Sequence, residues 1–522
     1  MRKRNVRIGL VAAALLLQLV GTVGAAVAQA VPDVTFTFSP GSGPPGTKIN
    51  FSGTGCTHST ATPAPPQDGV FLITRDGTTA HPVPFVSDAS GNFSGVYDTT
   101  QDVPGSYTTV VSCTSTGKGG VGSPFTVTVP VIPGSTYTPV TPVRVLDTRD
   151  GTGTGGVINP VGQAGVIDLK VAGVGAVPAN ATAVALNVTE TGSTAPPGGS
   201  YVTVWPTGSA QPLASNLNFY AGTSMPNMVI SRVGTDGKVS FYNNLGSVNL
   251  VADLQGWFVP DNSASTYIPL NPARVLDTRD GTGAPAAQVG PGGAVELNVL
   301  GAGGVPTTGV AAVALNVTVT RDSGPESFLT VWPSGSSRPL ASNLNFTSGP
   351  PATNLVIARV GDGGKVAFFN NLGSTDVIAD VQGYFAAPVA SGTALPGGTY
   401  MPISPVRVLD TRAGVGTPGG AIGQLGTQGV IDVTVAGVGG VPAGATSVVL
   451  NVTAADSPGP ESYLTLFPTG TTRPVASNLN FVAGQTIPNL VIVRLNGGKV
   501  SIYNNLGSTN VIADIQGWFQ TS

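Results

Sequence analysis

An all-β fold is predicted for this chain: a small N-terminal sandwich followed by three tandem β-sandwich repeat domains. Three observations predict it. Past residue 30, every periodic stretch alternates with period two, as in Val202-Thr203-Val204-Trp205 and Lys238-Val239-Ser240-Phe241-Tyr242. That is the pattern of strands with one buried face, and no convincing helical face appears alongside it. Glycine (73) and proline (44) punctuate these runs and together make up more than a fifth of the 522 residues. The level lies just under the roughly 25–30 % that marks disorder, and 41 % hydrophobic residues leave enough apolar surface for cores. The third observation is an internal repeat, with Arg-Val-Leu-Asp-Thr-Arg at 144–149, 274–279 and 407–412.

Residues 1–30 read as a secretory signal peptide. Arg2, Lys3, Arg4 and Arg7 precede an apolar run from Ile8 to Val20, and Ala28-Gln29-Ala30 supplies a small-x-small cleavage pattern. An uncleaved anchor helix is the alternative, but the run is short for a span of roughly 20 residues. No later apolar run is long enough to cross a bilayer. The mature protein is therefore expected to be secreted, extracellular or surface-associated, with no membrane span after cleavage.

The segment 33–130 holds both cysteines and both histidines, His58 and His81. Outside the cell, Cys56 and Cys113 are expected to pair, the bridge contributing about 2–4 kcal/mol; two free buried thiols are the alternative. With the alternating run Thr35-Phe36-Thr37-Phe38, its Pro-Gly turns and its two cysteines, the segment resembles an immunoglobulin-like sandwich. It departs from antibody-type domains in lacking tryptophan and in carrying Val111 where the corner tyrosine would stand.

Three repeats follow, over 137–259, 266–386 and 399–520. Ala-Ser-Asn-Leu-Asn-Phe recurs at 214–219, 341–346 and 476–481, and Asn-Asn-Leu-Gly-Ser at 243–247, 370–374 and 504–508. Each copy closes with Gln-Gly-Trp-Phe (255–258, 516–519) or Gln-Gly-Tyr-Phe (382–385). Asp147 to Asp277 is 130 residues and Asp277 to Asp410 is 133, well beyond the roughly 20–50 residues of solenoid or propeller units. Each copy is thus expected to be its own jelly-roll-like sandwich of about eight to ten short strands. The copies are expected to hang as beads on a string, with the small-residue linker at 386–399 the loosest joint.

Because Pro-x-Arg-Val-Leu-Asp-Thr-Arg recurs three times with its partner motifs in order, the span 137–519 resembles a family of secreted and surface-exposed actinobacterial proteins that carry this signature. The resemblance implies an extracellular, multidomain, non-catalytic protein and brings no defined activity.

Composition narrows the chemistry. Charged residues make up 9 % of the chain, against roughly 25 % in ordinary domains, and a net charge of −3 argues against a nucleic-acid partner. The repeats contain neither His nor Cys, which removes a Ser-His-Asp site and the usual zinc sets. No enzyme, cofactor or metal is expected. Asp147-Thr148-Arg149-Asp150-Gly151-Thr152-Gly153 looks like a calcium loop, but Ala413 breaks the pattern in the third copy and Arg149 puts a cation among the ligands. The reading preferred here is a structural ion pair in each copy: Asp147 with Arg149, Asp277 with Arg279, and Asp410 with Arg412, on one side of an extended strand.

The last strand is the best binding candidate. With period two, Asp253, Gln255 and Trp257 share one side, as do Asp380, Gln382 and Tyr384, and Asp514, Gln516 and Trp518. A carboxylate, an amide and a ring in line are what a glycan site uses; a buried polar network is the alternative. Asn216 and Asn218 form a second polar face. Tyr201-Thr203-Trp205 and its counterparts are assigned to the core, and the acceptor-like Asn187-Val188-Thr189 to a strand. Adhesion or display is therefore the expected function, with an unidentified cell-surface or extracellular glycan or protein as partner. A lectin-like protein with one weak site per repeat is the alternative.

Overall fold

The computed structural model describes residues 34–43, 47–57, 67–75, 78–79, 82–99, 105–114, 117–127, 134–390 and 393–521. Residues 1–30, read above as a signal peptide, and His58 and His81 lie outside them. The described chain is all-β and divides into two units, with the boundary after Val131.

In the first unit, a three-stranded sheet runs in the order Thr35–Ser39, Lys48–Thr54, Phe93–Asp98. The second sheet is built on Gly69–Arg75 and Gly105–Cys113. Alternation buries Ile49 and Phe51 from one sheet against Phe71 and Ile73 from the other. No tryptophan fills this core; Phe51 stacks on Phe71 and Phe85 on Phe93, each pair with ring centroids 4.3 Å apart. Cys56 and Cys113 form a disulfide with their Cα atoms 5.5 Å apart.

Each repeat of the second unit has eight strands. In the first repeat they are Thr136–Asp147, Val166–Lys170, Ala183–Thr191, Ser200–Pro206, Leu217–Phe219, Ser224–Arg232, Lys238–Asn243 and Asn249–Val259. One sheet has the order first-eighth-third-sixth and the other second-seventh-fourth-fifth, all antiparallel, and both later repeats match. Two four-stranded sheets in this order make a jelly roll. Between them lies the repeat's own core, Leu186, Val188, Val202, Val204, Phe241 and Leu250 among its members in the first copy.

The repeats are not beads on a string. Alternate residues of the third and sixth strands are apolar on the opposite face as well, and that face meets the other two repeats. Ala183, Ala185, Met228 and Ile230 join Ala312, Ala314, Leu355, Ile357, Val449, Leu490 and Ile492 in one central core. Six aromatic rings close a cycle within it. In order they are Tyr137, Phe385, Tyr267, Phe519, Tyr400 and Phe258, with neighbouring centroids 4.4–5.0 Å apart. Main-chain pairs repeat the closure: Tyr137 with Ser265, Tyr267 with Gly398, and Ser135 with Tyr400 each exchange two hydrogen bonds of 2.8–2.9 Å. The expected loose joint before the third repeat thus ends on residues fixed to both neighbours. Apolar residues on both faces of a strand need cover on both sides, and the other repeats provide it.

Candidate functional site

The eighth strand departs from period two at one point. On the third strand, Leu186 lies opposite Leu254 while the adjacent Ala185 lies opposite Gly256. Gln255 is therefore the extra residue of a β-bulge. The same shift occurs before Gly383 and Gly517. Glycine is required after it because a Cβ at 256 would meet the Tyr137 ring and the Thr138 carbonyl. The Tyr137 hydroxyl donates to the Gln255 carbonyl (2.9 Å), as Tyr267 does to Gln382 (3.2 Å) and Tyr400 to Gln516 (3.0 Å). Full burial pushes all three phenol pKa values up.

This bulge overturns the proposed glycan face. Below it Leu250, Ala252 and Leu254 face the repeat's core; above it Trp257 takes that side and Phe258 enters the central core. Trp257, Tyr384 and Trp518 are only 8, 9 and 3 % exposed, and each packs in its own sandwich. Asp253, Gln255, Asp380, Gln382, Asp514 and Gln516 are each 1 % exposed. No sugar reaches any of these nine residues in the folded chain.

The buried aspartates have arginine partners instead. Arg144 lies directly across from Asp253 in the sheet. Its Nε and Nη2 donate to the two Asp253 carboxylate oxygens (2.6 and 3.3 Å), and its Nη1 donates to Asp147 (2.9 Å). Asp147 also receives a bidentate pair from Arg149 (2.8 and 2.7 Å) and the Arg149 backbone N–H (3.0 Å). The same chain runs from Arg279 through Asp277 and Arg274 to Asp380, and from Arg412 through Asp410 and Arg407 to Asp514. These pairs close around a turn rather than along an extended strand: Asp147 ends the first strand and residues 148–151 turn. In the calcium-like loop, Asp147 is engaged by the arginines, and Asp150 accepts the Thr152 backbone N–H. Among the described residues no group of three or more His, Cys, Asp or Glu is placed to hold a metal ion.

The electrostatics divide each cluster. Hydrogen bonds from Arg279 hold the Asp277 pKa down at about 2, and Arg149 likewise lowers Asp147. Burial raises Asp253, Asp380 and Asp514, outweighing the arginine each one faces. A carboxylate buried this deeply needs its cation.

Two of the clusters bond across a seam between repeats. Arg144 Nη2 donates to the Leu340 carbonyl of the second repeat (3.2 Å), and Arg407 Nη2 to the Leu213 carbonyl of the first (3.0 Å). Beside them runs a closed cycle of asparagines. Asn227 Nδ2 donates to Asn451, Asn354 to Asn187 and Asn489 to Asn316, each at 2.8 Å. Their Oδ1 atoms accept the backbone N–H of Leu490, Met228 and Leu355 (3.0–3.1 Å). Asn187, Asn316 and Asn451 then donate to the carbonyls of Ser342, Ser477 and Ser215. The acceptor-like Asn187 is fully buried at a seam.

Nothing in the motifs placed Arg144 against Asp253, or Asn227 against another repeat. Both signals were present as positions recurring in all three copies. Asn216, by contrast, works locally, its Oδ1 accepting the Val204 N–H at 2.7 Å. Tyr201, Thr203 and Trp205 lie on the face of their sheet opposite Val202 and Val204, outside the cluster that fills the sandwich, and of the three Thr203 and Trp205 are buried as expected. Thr203 is tied to the Ala214 carbonyl and Trp205 to that of Ser209.

No family model matches the chain, and no curated protein matches it. Similar solved structures include an alpha-2-macroglobulin from Salmonella, 12 % identical over 94 % of this chain and 39 % of that one, with a TM-score of 0.16. The native E. coli alpha-2-macroglobulin is 12 % identical over 89 % of this chain and 27 % of that one, with a TM-score of 0.14. A triple jelly-roll turret protein of an archaeal virus is 10 % identical over 74 % of this chain and 90 % of that one, also at 0.14. The chain therefore spans less than half the length of these alpha-2-macroglobulins, and likeness at such scores carries no argument about function.

Proposed function

We propose that this chain is a secreted, non-catalytic protein of the cell surface or extracellular matrix that works by display or adhesion, its three repeats acting as one stiff body. The observation that carries this reading is how the recurrent polar residues are used. The asparagine cycle of all three repeats, with Arg144 and Arg407 of the Arg-Asp clusters, bonds across the copies, and every aspartate of the clusters is buried against an arginine. Repetition here supports assembly of a body, not replication of a reactive site. The signal-like N-terminus and the resemblance to surface-exposed actinobacterial proteins support the location.

The test is to express the full chain with a C-terminal epitope tag in an actinobacterial host, then fractionate the culture and label intact cells. Recovery in the medium or on the outer surface, cleaved near Ala30, is expected. Retention in the cytosol with residues 1–30 intact would contradict the reading.

A further inference from the structure

We propose that the cleft between the first and second repeats binds a neutral oligosaccharide. The cleft encloses about 570 Å³, within the range of roughly 300–1,000 Å³ typical of small-ligand sites. One wall is the turn after Asp147, with Thr189 of the third strand beside it; the other is Phe328 and the loop that begins at Arg338.

The lining is chemically specific. Arg144 and Arg149 are offset by Asp147 and Asp253, so the floor is close to neutral. Arg338 faces the same space as two exposed carboxylates, Asp150 and Glu326. That balance offers nothing to a polyanion. It does offer both donors and acceptors to hydroxyl groups, which can use either. Arg338 is held with its guanidinium 3.6 Å over the Phe369 ring. Half-buried Phe328 lies next to that ring, with centroids 6.4 Å apart, and gives an apolar surface for the C–H face of a sugar.

A second observation points to a ligand independently. The Thr189 hydroxyl is buried, lines the cleft and has no hydrogen-bond partner. Its counterpart in the second repeat, Thr318, pairs with Thr353 at 3.0 Å. Opposite Thr189 the chain has Pro226 instead, which removes that partner. A hydroxyl left unsatisfied just beneath the lining of a ligand-sized cleft gains a partner when the Thr189 side chain rotates toward a bound sugar oxygen.

The three seams differ, so the assignment is to one of them. At the seam of the second and third repeats, Glu461 and Arg473 keep the charged pair, but Thr318 is already satisfied. At the remaining seam, Gly199 and Gln211 replace the glutamate and the arginine.

The proposal goes beyond the display role, which stands or falls on localisation alone. Its test is saturation-transfer NMR on the intact chain with glucose-, mannose-, galactose- and xylose-based oligosaccharides of two to six units, followed by calorimetric titration of any that bind. One site per chain is expected. Thr189→Val should weaken binding by about five- to tenfold. Arg338→Gln, which installs the residue that the first repeat tolerates as Gln211, should abolish it, while Arg473→Gln leaves it unchanged. No saturation transfer from any of these sugars would overturn the proposal, as would binding indifferent to both Thr189→Val and Arg338→Gln.

Discussion

Arg144 stabilises two carboxylates of different character. Asp253 is enclosed by protein, whereas the second arginine on Asp147, Arg149, is half exposed. Removing the counter-ion of a buried charge costs about 3–5 kcal/mol, while an exposed pair contributes about 0–1 kcal/mol. Arg144→Ala is therefore expected to lower the urea midpoint strongly and Arg149→Ala only slightly. The double variant with Asp253→Ala should recover part of the first loss, and equal effects of the two single changes would contradict this division. Glu190 adds a pH dependence peculiar to the first repeat, since Val319 and Ala454 occupy its place in the other two. Burial raises its pKa to about 8, despite hydrogen bonds from Thr223 and the Met225 N–H. Between its ordinary value of about 4.3 and 8, the folded chain keeps a proton that the unfolded chain has lost. Stability from this group therefore falls as pH rises through that window. Glu190→Gln is expected to raise the urea midpoint at pH 8 more than at pH 5; a constant difference would refute the assignment. At this scale the Asp147–Arg149 pair was legible because both residues lie in one short segment. Arg144 with Asp253 was not, since strand register joins positions more than a hundred residues apart.

The eighth strand shows how far pattern reading reaches at the level of elements. Alternation identified the strands and the sandwich class, because one-sided burial imposes period two. It failed at the bulge, where one extra residue exchanges the faces of everything beyond it and turns an apparent Asp-Gln-Trp face into two separate environments. The signal was Gly256, since glycine inside a strand marks a bulge or a close backbone approach. Both hold here, with the Tyr137 ring against the glycine and its hydroxyl on the preceding carbonyl. Gly383→Ala is expected to cost about 1–3 kcal/mol through overpacking against Tyr267, read as a lower midpoint in urea with the m-value kept. No change would show that the ring contact is loose enough to absorb a methyl group.

For the whole molecule, the decisive property is that the third and sixth strands are buried on both faces. Ala183-Val184-Ala185-Leu186 and Ala312-Val313-Ala314-Leu315 are apolar without interruption, as is Val448-Val449-Leu450 in the third copy, and a continuous apolar strand calls for two covered faces. One sandwich supplies one. The spacing of about 130 residues alone is compatible with separate domains, which is why the repeat signal did not disclose their closure into one body. Shared aromatics and asparagines now account for the sequence identity among the copies, since each must fit both neighbours at once. The low charge has the same origin: surface that separate domains would expose to water is covered by the other repeats. The most direct test is to place a protease site in the linker between Ala387 and Gly397 of the full chain, cut it, and pass the product through a sizing column under native conditions. The third repeat is expected to stay with the rest at the elution volume of the uncut protein, and to separate only in denaturant. A folded third repeat eluting alone after cleavage would contradict the single-body account.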